Sequence, residues 1–291
     1  MARLEDCYRG HGLTSAEAEG WAAEFARWGV PLRAQAAGWH LDLPEPPWAA
    51  DQLAAALGLA EDEIGIWPLC DSSNTRLLAA LQLRLGLAEA QWAGHGQRGR
   101  HWHSPFGKHL YCSLAVEISP SRAGLLPLVA GLGVYQVLQA QIPELWLKWP
   151  NDLWVGQRKL AGLLVEGRHG PAGQRWVLGL GINLHADPAL PASAISLAEL
   201  GIALPRQALL LAILRQWQAD FPLLEEAGLA AFDDRWQAAN RLHGRWVEVE
   251  EDGCRSAWQV VALEENGALR VGNGRQQLTL DAGSVRLRPR P

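Results

Sequence analysis

Residues 148–166 read KWPNDLWVGQRKLAGLLVE, and the rest of the chain is read outward from them. An apolar lead-in, Leu145, Trp146 and Leu147, precedes KWPND, and a second apolar run follows it, Leu153, Trp154 and Val155. Gly156, Gln157 and Arg158 then turn the chain, and Lys159 opens a third run over 160–165. Short runs of strand-forming residues about a tight turn predict a hairpin. Lys148, Asn151, Asp152 and Lys159 stand at the ends of these runs. Cations beside an amide and a carboxylate, on strands that otherwise read as core, suit a phosphate and a divalent metal. On composition alone, the same residues also describe a solvated hairpin end.

The whole chain has 291 residues, enough for two or three small domains. Apolar residues at 48% and charged ones at 20% are ordinary for a globular protein. A net charge of −5 supplies no general basic field for nucleic acid. Cys7, Cys70, Cys112 and Cys254 are scattered without a CxxC pair, which indicates neither a zinc ribbon nor a disulfide framework. No secretory signal opens the sequence, so a reducing cytoplasm is expected. Residues 123–143 carry no charge, but Pro127, three glutamines and three glycines make them a buried helix rather than a membrane span.

Residues 1–45 read as a separate unit. Thr14 or Ser15 caps a helix to about Trp28, Gly29 ends it, and two short strands over 30–32 and 39–43 follow. The preceding MARLEDCYRGHG is too short and too glycine-bearing to supply a supporting helix. Glu17, Glu19 and Glu24 against Arg27 would repel phosphate, so DNA binding is not expected. Either this unit packs without binding DNA, or the start codon is placed too late. Pro44–Pro47 is a linker. A short helix over 49–57, a strand over 64–69 and a helix over 75–85 follow, the last with Leu77, Leu78, Leu81 and Leu85 at helical spacing. Asp71, Ser72, Ser73 and Asn74 form the turn before it, where hydroxyls either cap the helix or hold a neutral polar ligand.

In QWAGHGQRGRHW, residues 91–102, glycines alternate with long polar side chains, so the backbone can wrap an anion. His95, His101, His103 and His109 lie close together but lack the Cys or carboxylate neighbours that would complete a zinc set. A strand over 106–118, the buried helix over 121–141 and a strand over 176–184 with Gly179, Gly181 and Asn183 come next. Helices over 209–221 and 227–238 cover the sheet. Short alternating runs from about Leu242 predict a five-strand barrel.

KWPND followed by KLAG and a glutamate resembles the core motif of the biotin protein ligases. The DSSN turn is similar to that family's D-S-T-N, and the glycine loop to its G-R-G-R-x-G-R-x-W. TSAEAEGWAAEFARWGV with GWHLDLPEP resembles the recognition helix and wing of its repressor-type members. The resemblance implies an α+β fold: a central mixed sheet flanked by helices over 46–240, like that of class II synthetases. A truncated winged-helix remnant over 1–45 and a small SH3-like β-barrel over 241–291 flank it. It implies that biotin and ATP, with Mg2+ carried by ATP near Asp152, give biotinyl-5'-AMP. Biotin then passes to a lysine of a carboxyl carrier domain, acetyl-CoA carboxylase being the usual owner. The catalytic set so implied is Lys159, Lys148, Arg100 and Asp152. The biotin set is Ser72, Ser73, Asn74, Gln91, Gly94, His95, Gln97, Lys159 and Gly162. The adenylate set is Arg98, Arg100, Trp102, Asn151, Lys159, Asn183 and Arg288, with no protein-held metal. His95 and Gln97 depart from the family, which usually has arginine at both. A homodimer through paired sheet edges is a further expectation. A lipoate-type acyltransferase, a biotin-sensing repressor and a decayed ligase are the competing readings.

Overall fold

The computed structural model describes residues 2–36, 38–170, 173–251, 254–282 and 286–289. In chain order the elements are α1 (Ala2–Tyr8), α2 (Ser15–Arg27), β1 (Leu32–Gln35), β2 (Gly38–Leu41), α3 (Ala50–Leu57), β3 (Ile64–Trp67), α4 (Ser73–Ala79), β4 (Leu85–Ala88) and β5 (Leu110–Val116). There follow α5 (Pro120–Ala123), α6 (Leu126–Leu138), β6 (Leu145–Lys148), β7 (Asp152–Val155), β8 (Arg158–Gly170), β9 (Gly173–Ile182), α7 (Arg206–Ala227) and α8 (Asp233–Ala239). The last strands are β10 (Trp246–Glu251), β11 (Cys254–Leu263), β12 (Leu269–Gly272), β13 (Gln277–Leu280) and β14 (Arg286–Pro289). A seven-stranded sheet has the order β3-β4-β5-β9-β8-β7-β6. It is mixed: β3 and β4 run parallel, while the β4–β5, β5–β9, β8–β9 and β6–β7 pairs are antiparallel. The α+β expectation is met.

By internal contacts the chain divides into two compact units, Met1–Glu117 with Leu160–Leu214, and Ile118–Lys159 with Arg215–Pro291. In the first, α2 begins as predicted. The Thr14 hydroxyl accepts from the Glu17 N–H while the Glu17 carboxylate accepts from the Thr14 N–H, a reciprocal cap. The residues before it differ from expectation. They form α1, whose Leu4 and Cys7 share a core with Leu13, Phe25 and Val30 and with Leu69, Ala90 and Phe106. Burying these side chains outweighs the weak propensity of so short a helix. Tyr8 on α1 donates to the carboxylate of Glu89, which Arg206 grips at 2.5 and 2.6 Å. Both charges are buried, Glu89 at 0% exposure and Arg206 at 1%.

The predicted helix over 75–85 is shorter than expected. It ends at Ala79, Leu81 is 62% exposed, and Leu85 instead begins β4. Helical spacing of leucines cannot reveal that Leu85, Leu87 and Ala88 are buried on both faces of a parallel pair with β3, where alternation is lost.

In the second unit the helix predicted over 121–141 forms and is buried, but it is broken into α5 and α6. Pro127 in the first turn of α6 explains the restart, since it lacks the N–H that a continuing helix would need. KWPND connects β6 to β7, with Lys148 opposite Asp152, and positive-φ Gly156 turns the chain from β7 towards β8. The C-terminal strands form an antiparallel sheet of order β13-β12-β11-β10-β14, matching the five predicted runs. Among the described residues no helix is long and apolar enough to cross a membrane.

Candidate active site

The polar residues of the first unit that the sequence marks are drawn together by hydrogen bonds. Ser72 precedes α4 in extended conformation and makes no side-chain cap bond, so helix capping does not explain its hydroxyl. Ser72, Ser73 and Asn74 are all buried. The Ser73 N–H and hydroxyl donate to Gln91 Oε1 at 2.7 and 3.1 Å, and Gln91 Nε2 donates to Ser104 Oγ at 3.1 Å. Ser113 on β5 lies 2.8 Å from Ser73 Oγ and 2.6 Å from Asn74 Oδ1. Asn74 Nδ2 donates to Glu166 Oε2 at 2.8 Å. Burial without such bonds would cost each group about 1–3 kcal/mol, so the network fixes one arrangement.

Ser113, Ser104 and Glu166 were missed by sequence reasoning as site residues. The available signal was a lone serine inside an apolar strand and the glutamate closing the 148–166 stretch.

Glycines make the room. A Cβ on Gly179 would lie 2.5 Å from Asn74 Oδ1, and one on Gly181 would lie 2.5 Å from the Trp102 ring. Gly162 pairs with Gly181 across β8 and β9. Gly181→Ala is therefore expected to displace Trp102 and destabilise the fold by about 1–3 kcal/mol, since neither ring nor strand can yield freely. Thermal unfolding followed by tryptophan fluorescence measures it; an unchanged Tm and spectrum would contradict the packing argument.

The glycine loop folds back on itself through a bridge between His95 and His101. Gly94 lies beside Ser104 and the Trp102 carbonyl, where a Cβ would clash at 2.7 Å. His95 Nδ1 is 3.0 Å from the Ala93 carbonyl and Nε2 is 3.2 Å from Glu166 Oε1. The Ala93 carbonyl raises the His95 pKa above its ordinary value, burial opposes this, and Glu166 adds to the rise. Gln97, Arg98 and Gly99 form a tight turn, with Arg98 at positive φ, and Arg98 and Arg100 are exposed. Arg100 Nε contacts the Gln97 carbonyl at 3.4 Å.

Asn183 ends the strand run, its Nδ2 donating to the Ile195 carbonyl at 3.1 Å. The next N–H, of Leu184, donates to Nδ1 of His109, which is fully buried. Desolvation pushes the His109 imidazole down to about 4. An unfolded histidine titrates near 6.5, so between about 6.5 and 4 the unfolded chain takes up a proton that the folded one refuses. Stability is complete above that window and is lost as pH falls through it. His109→Asn is expected to flatten the decline of Tm over this range; an unchanged slope would clear His109 as the cause.

Within the second unit Lys159 Nζ lies 2.6 Å from Asp152 Oδ1, with side-chain exposures of 27% and 13%. Lys148 Nζ sits 4.3 Å from the centroid of the Trp154 ring. Asn151 is buried in the turn between β6 and β7. Arg288 stands opposite Glu248 in the β10–β14 register, and its side chain lies outside the described residues. Among the described residues no group of three or more His, Cys, Asp or Glu can hold a metal ion.

Residues 70–183 match the model of the biotin/lipoate A/B protein ligase family. The chain is 36% identical over 235 residues to the bifunctional ligase/repressor BirA of Escherichia coli K12, covering 76% of this chain and 73% of that protein. It is 32% identical to the biotin–[acetyl-CoA-carboxylase] ligase of Mycobacterium tuberculosis H37Rv, covering 68% of this chain and 77% of that one. The fold matches the Aquifex aeolicus biotin protein ligase in complex with biotin and ATP at a TM-score of 0.68 and 24% identity, over 78% of this chain and 99% of the other.

Proposed function

Since the chain belongs to the biotin protein ligase family, we propose that it is the ATP-dependent ligase that makes biotinyl-5'-AMP and passes biotin to a carrier-domain lysine. The observation that carries this is the hydrogen-bonded set of buried Ser73, Asn74 and Ser113 with half-buried Gln91, beside glycine-cleared strands. Ser72 and Ser73 hydroxyls serve the neutral ureido end of biotin, and apolar walls suit its bicyclic body.

Step one joins two anions, because a carboxylate oxygen of biotin attacks the α-phosphorus of ATP and pyrophosphate leaves. Positive charge placed between them lowers that barrier. Lys159 supplies it at the head of β8, three residues before Gly162. The Asp152 carboxylate holds the ammonium in one orientation until the substrates arrive. Lys148 and Arg100 add to the field, and Asn151, Asn183, Trp102, Arg98 and Arg288 serve the nucleotide. The magnesium accompanying ATP belongs to the substrate. In step two the carrier amine, once deprotonated, attacks the acyl carbon and AMP leaves; Asp152 guides that amine. Closure of the glycine loop shields the adenylate from water. The carrier in this reading is a biotin carboxyl carrier domain; the mycobacterial relative is named for acetyl-CoA carboxylase as its substrate.

Incubation with ATP, labelled biotin and a carrier domain tests the proposal; no label on the carrier removes it. Gln97 offers a neutral donor where the family usually brings a cation. Charge-assisted bonds are about twice as strong as neutral ones. Gln97→Arg is therefore expected to slow release of the adenylate roughly tenfold, about 1.4 kcal/mol. Stopped-flow release of labelled adenylate reads this directly, and an unchanged off-rate would discard it.

A further inference from the structure

Strand β9 presents residues 175, 177, 179 and 181 to one side, because side chains alternate along a strand. Gly179 receives Asn74 at the start of α4, and Gly181 receives Trp102. Four residues before Gly179 on that same face is Arg175. Its Nη1 donates to the Leu81 carbonyl at 2.8 Å, and its Nη2 to the Ala80 and Leu83 carbonyls at 3.2 and 2.5 Å.

These are carbonyls of the turn that ends α4. Helices commonly finish on a left-handed glycine that satisfies their last carbonyls. Here the cap is Ala80, at φ −96° and ψ 87°, and no glycine follows until Gly86. Leu81 is largely exposed, so apolar packing at that residue does not secure the turn. A guanidinium aimed at the carbonyls replaces the missing cap and suits the negative end of the helix dipole. The spans also agree: four residues of strand cover about 13 Å, and seven of helix about 10 Å. One strand face thus grips α4 at both ends, by a missing side chain at the start and a cation at the finish. A helix of seven residues has little stability of its own.

We propose that Arg175 is a positioning residue for biotin: by clamping the far end of α4 it sets where Ser72 and Ser73 stand. This rests on the ligase reading above. Arg175 touches no substrate, so its signature is selective. In carrier biotinylation, Arg175→Gln is expected to raise KM for biotin about tenfold, leaving kcat and KM for ATP within about twofold. Arg175→Lys, which keeps the charge but not the fork, should fall between. Amide hydrogen exchange should accelerate in residues 74–80 of Arg175→Gln and not in β9. Unchanged KM for biotin in both variants would overturn the proposal. So would a parallel loss of kcat and both KM values with general exchange, which marks a merely structural role. Failure of the unaltered protein to bind biotin would instead sink the ligase reading, and the assignment of Arg175 to biotin with it.

Discussion

Lys159→Ala is expected to lower the rate of biotinyl-adenylate formation by 10²–10³-fold, about 2.7–4 kcal/mol, the usual loss when a charge-stabilising group is removed from a reacting anion. Pyrophosphate release in the presence of biotin and ATP measures it without any carrier. The fold should survive, because Lys159 keeps 27% side-chain exposure and Asp152 can be reached by water. Removing the cation also frees Asp152, which then repels the incoming phosphates and deepens the defect. The double variant Lys159→Ala/Asp152→Asn should consequently recover part of the loss. Wild-type rates in Lys159→Ala would end the mechanism argued from the head of β8.

The largest effect on stability is expected at Arg206. Its guanidinium holds Glu89, donates to the Pro46 carbonyl at 2.6 Å and lies 4.2 Å from the centroid of the Trp48 ring. The Tyr8 hydroxyl donates to Glu89 and accepts from the Trp48 N–H at 2.9 Å. Desolvation and the neighbouring Glu89 push the Tyr8 phenol well above its ordinary range, so it remains a donor at every working pH. Arg206→Ala leaves a fully buried carboxylate without its cation, at a cost of about 3–5 kcal/mol. Thermal unfolding should show this as a fall in Tm of roughly 10 °C. Glu89→Gln/Arg206→Ala should be more stable than Arg206→Ala alone, because the uncompensated charge is gone while an acceptor for Tyr8 remains. If the double variant is the less stable, the cost lies in packing around Arg206 instead.

These two cases divide the molecule by how legible it was. The Lys159–Asp152 pairing lies within one short stretch, where strand alternation and a tight turn bring both residues to neighbouring strand ends. The same holds for the Thr14–Glu17 cap, the uncharged helix over 126–138 and the five C-terminal strands, since each depends on residues close in sequence. The Tyr8–Glu89–Arg206 cluster spans nearly two hundred positions, and no local pattern announces a buried ion pair. Ser113 reads as an ordinary strand residue until Ser73 and Asn74 are brought to it from another element. The start of strand β4 was hidden because Leu85 continues the helical spacing of Leu77, Leu78 and Leu81, and only pairing with β3 and β5 decides between the two.

The amino-acid sequence by itself determined most element types, the hairpin at 148–166 and the five C-terminal runs, because these follow from periodicity, turn residues and side-chain charge over short distances. Tertiary structure alone decided where α4 stops, that the first residues form a helix locked to Glu89, that Ser113 and Glu166 bond to Asn74, and that Arg175 bonds to the carbonyls at the end of α4. Long-range burial decides such matters. A polar group taken from water must find a partner, and which partner is within reach is set by how distant elements pack.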